Sequence, residues 1–183
     1  MLVNTLITEL GEKVFLIDQV FDNTRLSQLH ALCNSSQLGN AAWPLAKRFG
    51  GRPRYEHDGS EPEWAKLQQY FASSEFLEPF EQLVQHPLEY AVASTWADQT
   101  GFGPLGPHKE QGGSYMIQVY LTDTPHDWTG TTIYNEAEQV LVQLPYRDNF
   151  GWLFHGMRVM HGRHHDVPLG LTRFTLQIWM NHK

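Results

Sequence analysis

Two histidines and a carboxylate stand in an order that could hold a metal ion. His108-Lys109-Glu110 sets an imidazole and an acid two positions apart. Positions i and i+2 share one face of an extended segment, and a loop at a strand end can bring them together as well. Further along, Phe154-His155-Gly156-Met157-Arg158-Val159-Met160-His161 supplies more imidazoles. Two histidines and one carboxylate on one face of an octahedral ion leave three positions open, which suits non-haem iron(II). Two of those positions can take a bidentate 2-oxo acid and the third can take oxygen. Arg173, with Thr175 two residues on, then has a clear use. Its planar fork can hold a distal carboxylate through paired charge-assisted hydrogen bonds. Taken singly, each residue also has an ordinary use: a polar pair on a loop, a hydrogen-bonded histidine at a turn, an arginine in a salt bridge. A second pair, His164/Asp166, repeats the spacing, but only His182 lies well downstream of it.

The elements that must position these residues fall into two parts. Up to residue 87 the pattern is mixed and mainly helical. Val14 to Ile17 is a short apolar strand. Asp22 or Asn23 caps a helix carrying Leu26, Leu29, Leu32 and Cys33 on one face. Glu61 to Ala72 and Glu75 to Gln85 read as two more helices. From Leu88 the period changes to that of strands: Leu88 to Trp96, Ser114 to Thr122, Thr131 to Tyr134, Gln139 to Leu144 and Gly151 to Phe154. Leu171 to Met180 alternates, with Arg173, Thr175, Gln177 and Trp179 on one face and Phe174, Leu176, Ile178 and Met180 on the other. Trp179 is therefore expected to wall the same pocket as Arg173. A Gly/Pro loop (Gly101, Gly103, Pro104, Gly106, Pro107) delivers His108 to the mouth of the β structure. Short strands at close spacing predict a β-sandwich or barrel, and helices first with strands later predict an α+β protein with helices on one side of a β core.

The chain has 183 residues, 41% hydrophobic and 18% charged, with a net charge of -7. That length and composition predict one domain over residues 1–183, with 1–87 as mainly helical support and 88–183 as the β core. The acidic balance argues against nucleic-acid partners, which need a positive field. Lys47, Arg48, Arg52 and Arg54 are a local exception within a Gly-rich stretch. They read either as a solvated basic loop or as an anion-attracting lid over a site. Cys33 is the single cysteine, so no internal disulfide forms, which fits a reducing compartment. With neither a signal peptide nor a membrane span in view, the expectation is a soluble, cytoplasmic protein.

These residues together resemble the iron(II)/2-oxoglutarate oxygenases, on the prolyl-4-hydroxylase-like side. Val14-Phe15-Leu16-Ile17-Asp18 before a helix is similar to the family's opening. Trp96 to Glu110 resembles the run into the first ligand pair. Tyr120-Leu121-Thr122 and Thr129-Gly130-Thr131-Thr132-Ile133-Tyr134 resemble the next strand end and Gly-rich turn. Leu144-Pro145 with Gly151-Trp152-Leu153-Phe154 resembles the run before the distal histidine, and Arg173-Phe174-Thr175 the co-substrate strand. The resemblance spans roughly residues 88 to 180. It implies a double-stranded β-helix (jelly-roll) core flanked by the N-terminal helices. It also implies iron(II), 2-oxoglutarate as co-substrate, ascorbate as accompanying reductant, and hydroxylation of an amino-acid or peptidyl side chain with release of succinate and carbon dioxide. The partner would be a small molecule or a peptide. The implied metal ligands are His108, Glu110 and His161. His161 fits the upstream spacing from Phe154, while His164 fits the downstream spacing to Pro168 and Arg173. The implied co-substrate residues are Arg173 and Thr175, with either Tyr115 or Tyr120 assisting; the two tyrosines fall on opposite faces of one strand. Glu110 stands where the family more often has aspartate, and a carboxylate there argues against a halogenase. A cupin-type metalloprotein ranks lower because no His-x-His is present, and a non-catalytic jelly-roll binding module is the remaining reading.

Overall fold

The computed structural model describes residues 2–34, 38–39, 41–49, 52–112 and 114–183. In chain order the elements are β1 (Leu2–Ile7), β2 (Lys13–Asp18), α1 (Asn23–Asn34), β3 (Leu45–Phe49), β4 (Arg52–Glu56), α2 (Pro62–Phe71), α3 (Ser74–Val84) and β5 (Leu88–Gln99). They continue with β6 (Leu105–His108), β7 (Tyr115–Leu121), β8 (Thr132–Tyr134), β9 (Val140–Gln143), β10 (Phe150–His155), β11 (His161–Arg163) and β12 (Thr172–His182). The strands form an eight-stranded sheet in the order β1-β2-β10-β7-β12-β5-β4-β3 and a four-stranded sheet in the order β6-β11-β8-β9. All the strand pairings are antiparallel.

The period-2 alternation of β7 and β12 divides the interior into two layers. Ile117, Val119, Leu121, Leu176, Ile178 and Met180 face the helices. There they join Leu29, Trp64, Phe71, Phe76 and Phe80 in one apolar cluster. Met116 and Tyr120 face the other way and pack with Ile133, Trp152 and Phe154. Each such large apolar side chain contributes roughly 1.5–3 kcal/mol by leaving water, so both faces of the large sheet are anchored. Helix starts match the expected chemistry. Asp22 accepts from the Arg25 backbone N–H at 2.8 Å and Ser73 from that of Phe76 at 3.4 Å, each satisfying a donor that a helix N-terminus leaves open.

Three expectations change. The glycine-rich basic stretch is not a loop: β3 and β4 form a hairpin that adds to β5. The side chains of Lys47, Arg48 and Arg52 lie outside the described residues, whereas Arg54 lies within them. The Gly/Pro loop ends in a strand, β6, that carries His108. β1 is an edge strand that sequence reading passes over, because its side chains are half-buried or exposed and show no buried face. Among the described residues no helix is long and apolar enough to cross a membrane.

Candidate active site

Strand pairing brings the ligand candidates together. β6 pairs with β11 so that His108 lies opposite His161, their ring centroids 4.6 Å apart. Glu110 follows two residues after His108, and its backbone N–H donates to the Gly156 carbonyl at 3.0 Å. Its Oε1 lies 3.2 Å from His161 Nε2 and 4.0 Å from His108 Nε2. Among the described residues this is the one group of three His, Cys, Asp or Glu side chains whose ligand atoms converge, all within 4.8 Å of one another. His161 is buried and wedged against the rings of Trp152 (5.3 Å) and Phe154 (4.9 Å). His164 is exposed and faces His165, so the structure brings His161, not His164, to Glu110.

Hydrogen bonding fixes what the two imidazoles can do. His161 Nδ1 lies 3.1 Å from the Val159 carbonyl, and His108 Nδ1 lies 2.8 Å from the Gly106 carbonyl. A carbonyl only accepts, so each Nδ1 carries the proton. In the neutral ring, Nε2 is then a lone-pair acceptor. Partial desolvation lowers the His108 pKa below its ordinary value and favours that neutral form, although the side chain keeps 45% exposure at the cavity mouth. A protonated His161 ring donates from Nε2 to Glu110, and that hydrogen bond is the chief cause of a lowered Glu110 pKa, which favours its anion. Acceptor lone pairs that face a carboxylate oxygen at 3.2 Å repel one another unless a cation or a proton lies between them. The donor set, two imidazole nitrogens and one carboxylate, suits a borderline divalent ion with open positions.

Gly162 allows the two histidine strands to meet. A methyl group at that position would lie 2.5 Å from the Leu105 carbonyl oxygen and 2.6 Å from that of Gly106. Gly162→Ala should therefore push β6 away from β11 and separate His108 from His161. Competition against a chromophoric chelator is expected to show divalent-metal affinity falling by about 10–100-fold, the range seen when ligand positioning is disturbed. Unchanged affinity would mean that the β6–β11 contact does not set the geometry.

The opposing wall comes from the large sheet. On one row, Arg54 of β4 and Arg173 of β12 flank Asp98 of β5, each directly opposite it. On the next row toward the sheet's centre, Trp96, Thr175 and Tyr120 pair in turn, and then come Gln177 and Gln118. Asp98 is fully buried and accepts from Arg54 Nε (2.5 Å) and Nη2 (2.9 Å), from Arg163 Nη1 (2.8 Å) and from Arg173 Nη1 (3.3 Å). Burial alone would raise its pKa, but the three guanidinium groups, Arg54 first, hold it down at about 2. Arg173 is buried. Its Nε donates to the Thr129 carbonyl at 2.7 Å and its Nη1 to Thr175 Oγ1 at 2.7 Å. Among the described residues no acceptor lies on its Nη2. Asp98, Tyr120 and Thr129 stand behind the surface, and the other side chains of this wall line one cavity of about 230 Å³ together with His108, Glu110 and His161. That is below the roughly 300–1,000 Å³ usual for drug-sized ligands.

The remaining candidates divide. Tyr120 is fully buried, lies beneath the Arg173 guanidinium and donates its hydroxyl to Thr131 Oγ1 at 2.9 Å, so it braces the wall from behind. Tyr115 does not join the site. It points to the opposite face and packs on His155 and His182. Trp179 does not line the cavity either. It sits beside Gly156 near the Glu110 stem, and Gln177 takes the place expected for it. Sequence reasoning missed Asp98 and Arg163, whose partners lie on distant strands. The available signal was parity, because Asp98 shares the face of Trp96.

No protein-family profile matches the sequence, and no curated protein matches it. Solved structures do match. An oxidoreductase of the 2-oxoglutarate–iron(II) oxygenase family from Burkholderia pseudomallei superposes with a TM-score of 0.71 at 11% identity, covering 94% of this chain and 86% of that one. A prolyl-4-hydroxylase from Pseudomonas putida does so at 0.62 and 14%, covering 95% of each. HygX from Streptomyces hygroscopicus, solved with nickel and 2-oxoglutarate bound, matches at 0.62 and 13%, covering 93% and 83%. The chain has the fold of the iron(II)/2-oxoglutarate oxygenases. Its jelly-roll core, with helices on the outer face of the larger sheet, is the α+β architecture that the strand pattern predicts.

Proposed function

We propose that this chain is an iron(II)- and 2-oxoglutarate-dependent dioxygenase that hydroxylates an amino-acid or peptidyl side chain of a small molecule or peptide. The observation that carries this reading is the convergence of His108, Glu110 and His161 in one cavity with Arg173. The three would hold iron(II) from one side. Arg173 and Thr175 would receive the distal carboxylate of 2-oxoglutarate. When bound, iron(II) supplies the oxygen chemistry that couples oxidative decarboxylation of 2-oxoglutarate, to succinate and carbon dioxide, with substrate hydroxylation.

The chain's own residues prepare the site for that chemistry. The Val159 and Gly106 carbonyls each accept from an Nδ1–H, which aims both Nε2 atoms inward. Trp152 and Phe154, stacked at 3.9 Å, exclude water behind His161. Thr175 and Thr129 fix the Arg173 guanidinium before any carboxylate arrives, which lowers the ordering cost of binding. Thr131, held by Gln118 and Tyr120, presents a further polar group to the cavity.

Arg173→Ala tests the co-substrate assignment. Removing one partner of a desolvated charge pair should weaken 2-oxoglutarate binding by about 2–5 kcal/mol, as read by anaerobic calorimetry on metal-loaded protein. Asp98 keeps Arg54 and Arg163 as partners, so the variant should fold. Wild-type affinity for 2-oxoglutarate in this variant would show that Arg173 does not hold it.

A further inference from the structure

The arginine cluster holds more positive charge than the co-substrate can use. Three guanidinium groups, those of Arg54, Arg163 and Arg173, surround the single carboxylate of Asp98. That leaves two positive charges on the cavity wall. A distal carboxylate on Arg173 would cancel one of them. Arg163 cannot serve a second anion. It is buried, and each of its guanidinium nitrogens has an acceptor: Nε with the His165 carbonyl, Nη1 with Asp98 and Nη2 with the Phe102 carbonyl.

Arg54 is different. Its side chain keeps 18% exposure and lines the cavity shared with His108, Glu110 and His161. It spends Nε and Nη2 on Asp98, and among the described residues no acceptor lies on Nη1. Its guanidinium lies over the rings of Trp96 (5.0 Å) and Phe102 (4.8 Å), so it is held in place by cation–π contact without being covered. It comes from the hairpin at the sheet edge, the same basic stretch whose sequence allows an anion-attracting lid. Trp96 and Gln177, linked by a 3.2 Å hydrogen bond, line the cavity beside it.

We infer that Arg54 is a specificity-determining residue that receives an anionic oxygen group, a carboxylate or a phosphate, on the prime substrate itself. The inference rests on the oxygenase reading above and names the substrate class for that site. The substrate carries two features: the carbon to be hydroxylated, placed toward His108, Glu110 and His161, and an anionic group placed toward Arg54 on β4.

Calorimetry with small anions tests this. The protein is loaded anaerobically with iron(II) and saturating 2-oxoglutarate, the visible absorption of the chelate confirming the loaded state. It is then titrated separately with acetate, methyl phosphate and acetamide. One or both anions should bind, and the tighter of the two assigns carboxylate or phosphate; acetamide should not bind. Arg54→Gln should weaken the anion at least about tenfold, the scale of one lost charge-assisted hydrogen bond. Affinity for 2-oxoglutarate should stay within about twofold. Arg54→Lys, which keeps the charge but not the fork, should restore part of the anion binding and controls for the lost Asp98 contact. The inference is overturned if the loaded wild type binds neither anion, or if acetamide binds as well as acetate. It is also overturned if Arg54→Gln loses 2-oxoglutarate instead of the anion. Absence of the chelate absorption in the wild type would sink the oxygenase reading and this inference with it.

Discussion

His161→Ala is expected to abolish stoichiometric iron(II) binding, whereas His164→Ala is expected to retain it. The two histidines are three positions apart, and spacing along the chain does not separate them. Their surroundings do. His161 opens β11 opposite His108, is clamped by Trp152 and Phe154, and has its Nδ1 proton engaged by the Val159 carbonyl. His164 lies past the strand, exposed, against His165. Losing His161 would remove one of the three proposed ligands and leave Glu110 with only the more distant His108. Glu110→Gln should behave similarly, since it keeps the shape and deletes the charge. Iron content after anaerobic reconstitution and desalting checks both. Retention by His161→Ala together with loss by His164→Ala would move the metal to the other end of β11.

Asp98→Asn is expected to be the most destabilising single change in the cavity wall. The substitution leaves the buried Arg163 and Arg173 without their carboxylate. Breaking such a buried pair costs about 3–5 kcal/mol, a large part of the roughly 5–15 kcal/mol that separates folded from unfolded states. Burial and the Arg173 charge lower the Arg163 pKa to about 10 even with Asp98 present. The pH dependence has a definite sign. The folded-state pKa of Asp98, about 2, lies below its ordinary 3.8. The associated stability is therefore present above pH ~4 and is lost as pH falls from there toward 2, a contribution on the order of 2–3 kcal/mol. Urea unfolding at pH 7 should show the full deficit of Asp98→Asn, and the gap from wild type should narrow between pH 4 and 2. A variant within about 1 kcal/mol of wild type at pH 7 would mean that the arginines find other partners.

What the sequence made readable was local. The alternation of Arg173, Thr175 and Gln177 against Phe174, Leu176 and Ile178 assigns the two faces of β12 without coordinates, and the apolar spacing of α1, α2 and α3 assigns the helical layer. The His108-x-Glu110 pair was legible because both ligands come from one stretch. What stayed hidden depends on pairing across the sheets. Gly50 and Gly51, with Pro53 close by, read as a loop, and only the register of β4 against β5 sets Arg54 beside Asp98. Tyr115 and Tyr120 were correctly separated by parity, yet which face holds the cavity depends on where the second sheet lies. Trp179 has the right parity, but it sits too far along β12, opposite Met116 and past the cavity.

The most direct test of the oxygenase reading is anaerobic titration of the purified protein with iron(II) and 2-oxoglutarate, following the weak visible charge-transfer band of a chelated 2-oxo acid. The account predicts that the band appears with wild-type protein and is absent with His108→Ala. Iron that binds without the band would contradict it and favour a cupin-type metalloprotein, and protein that binds no iron would leave a jelly-roll binding module.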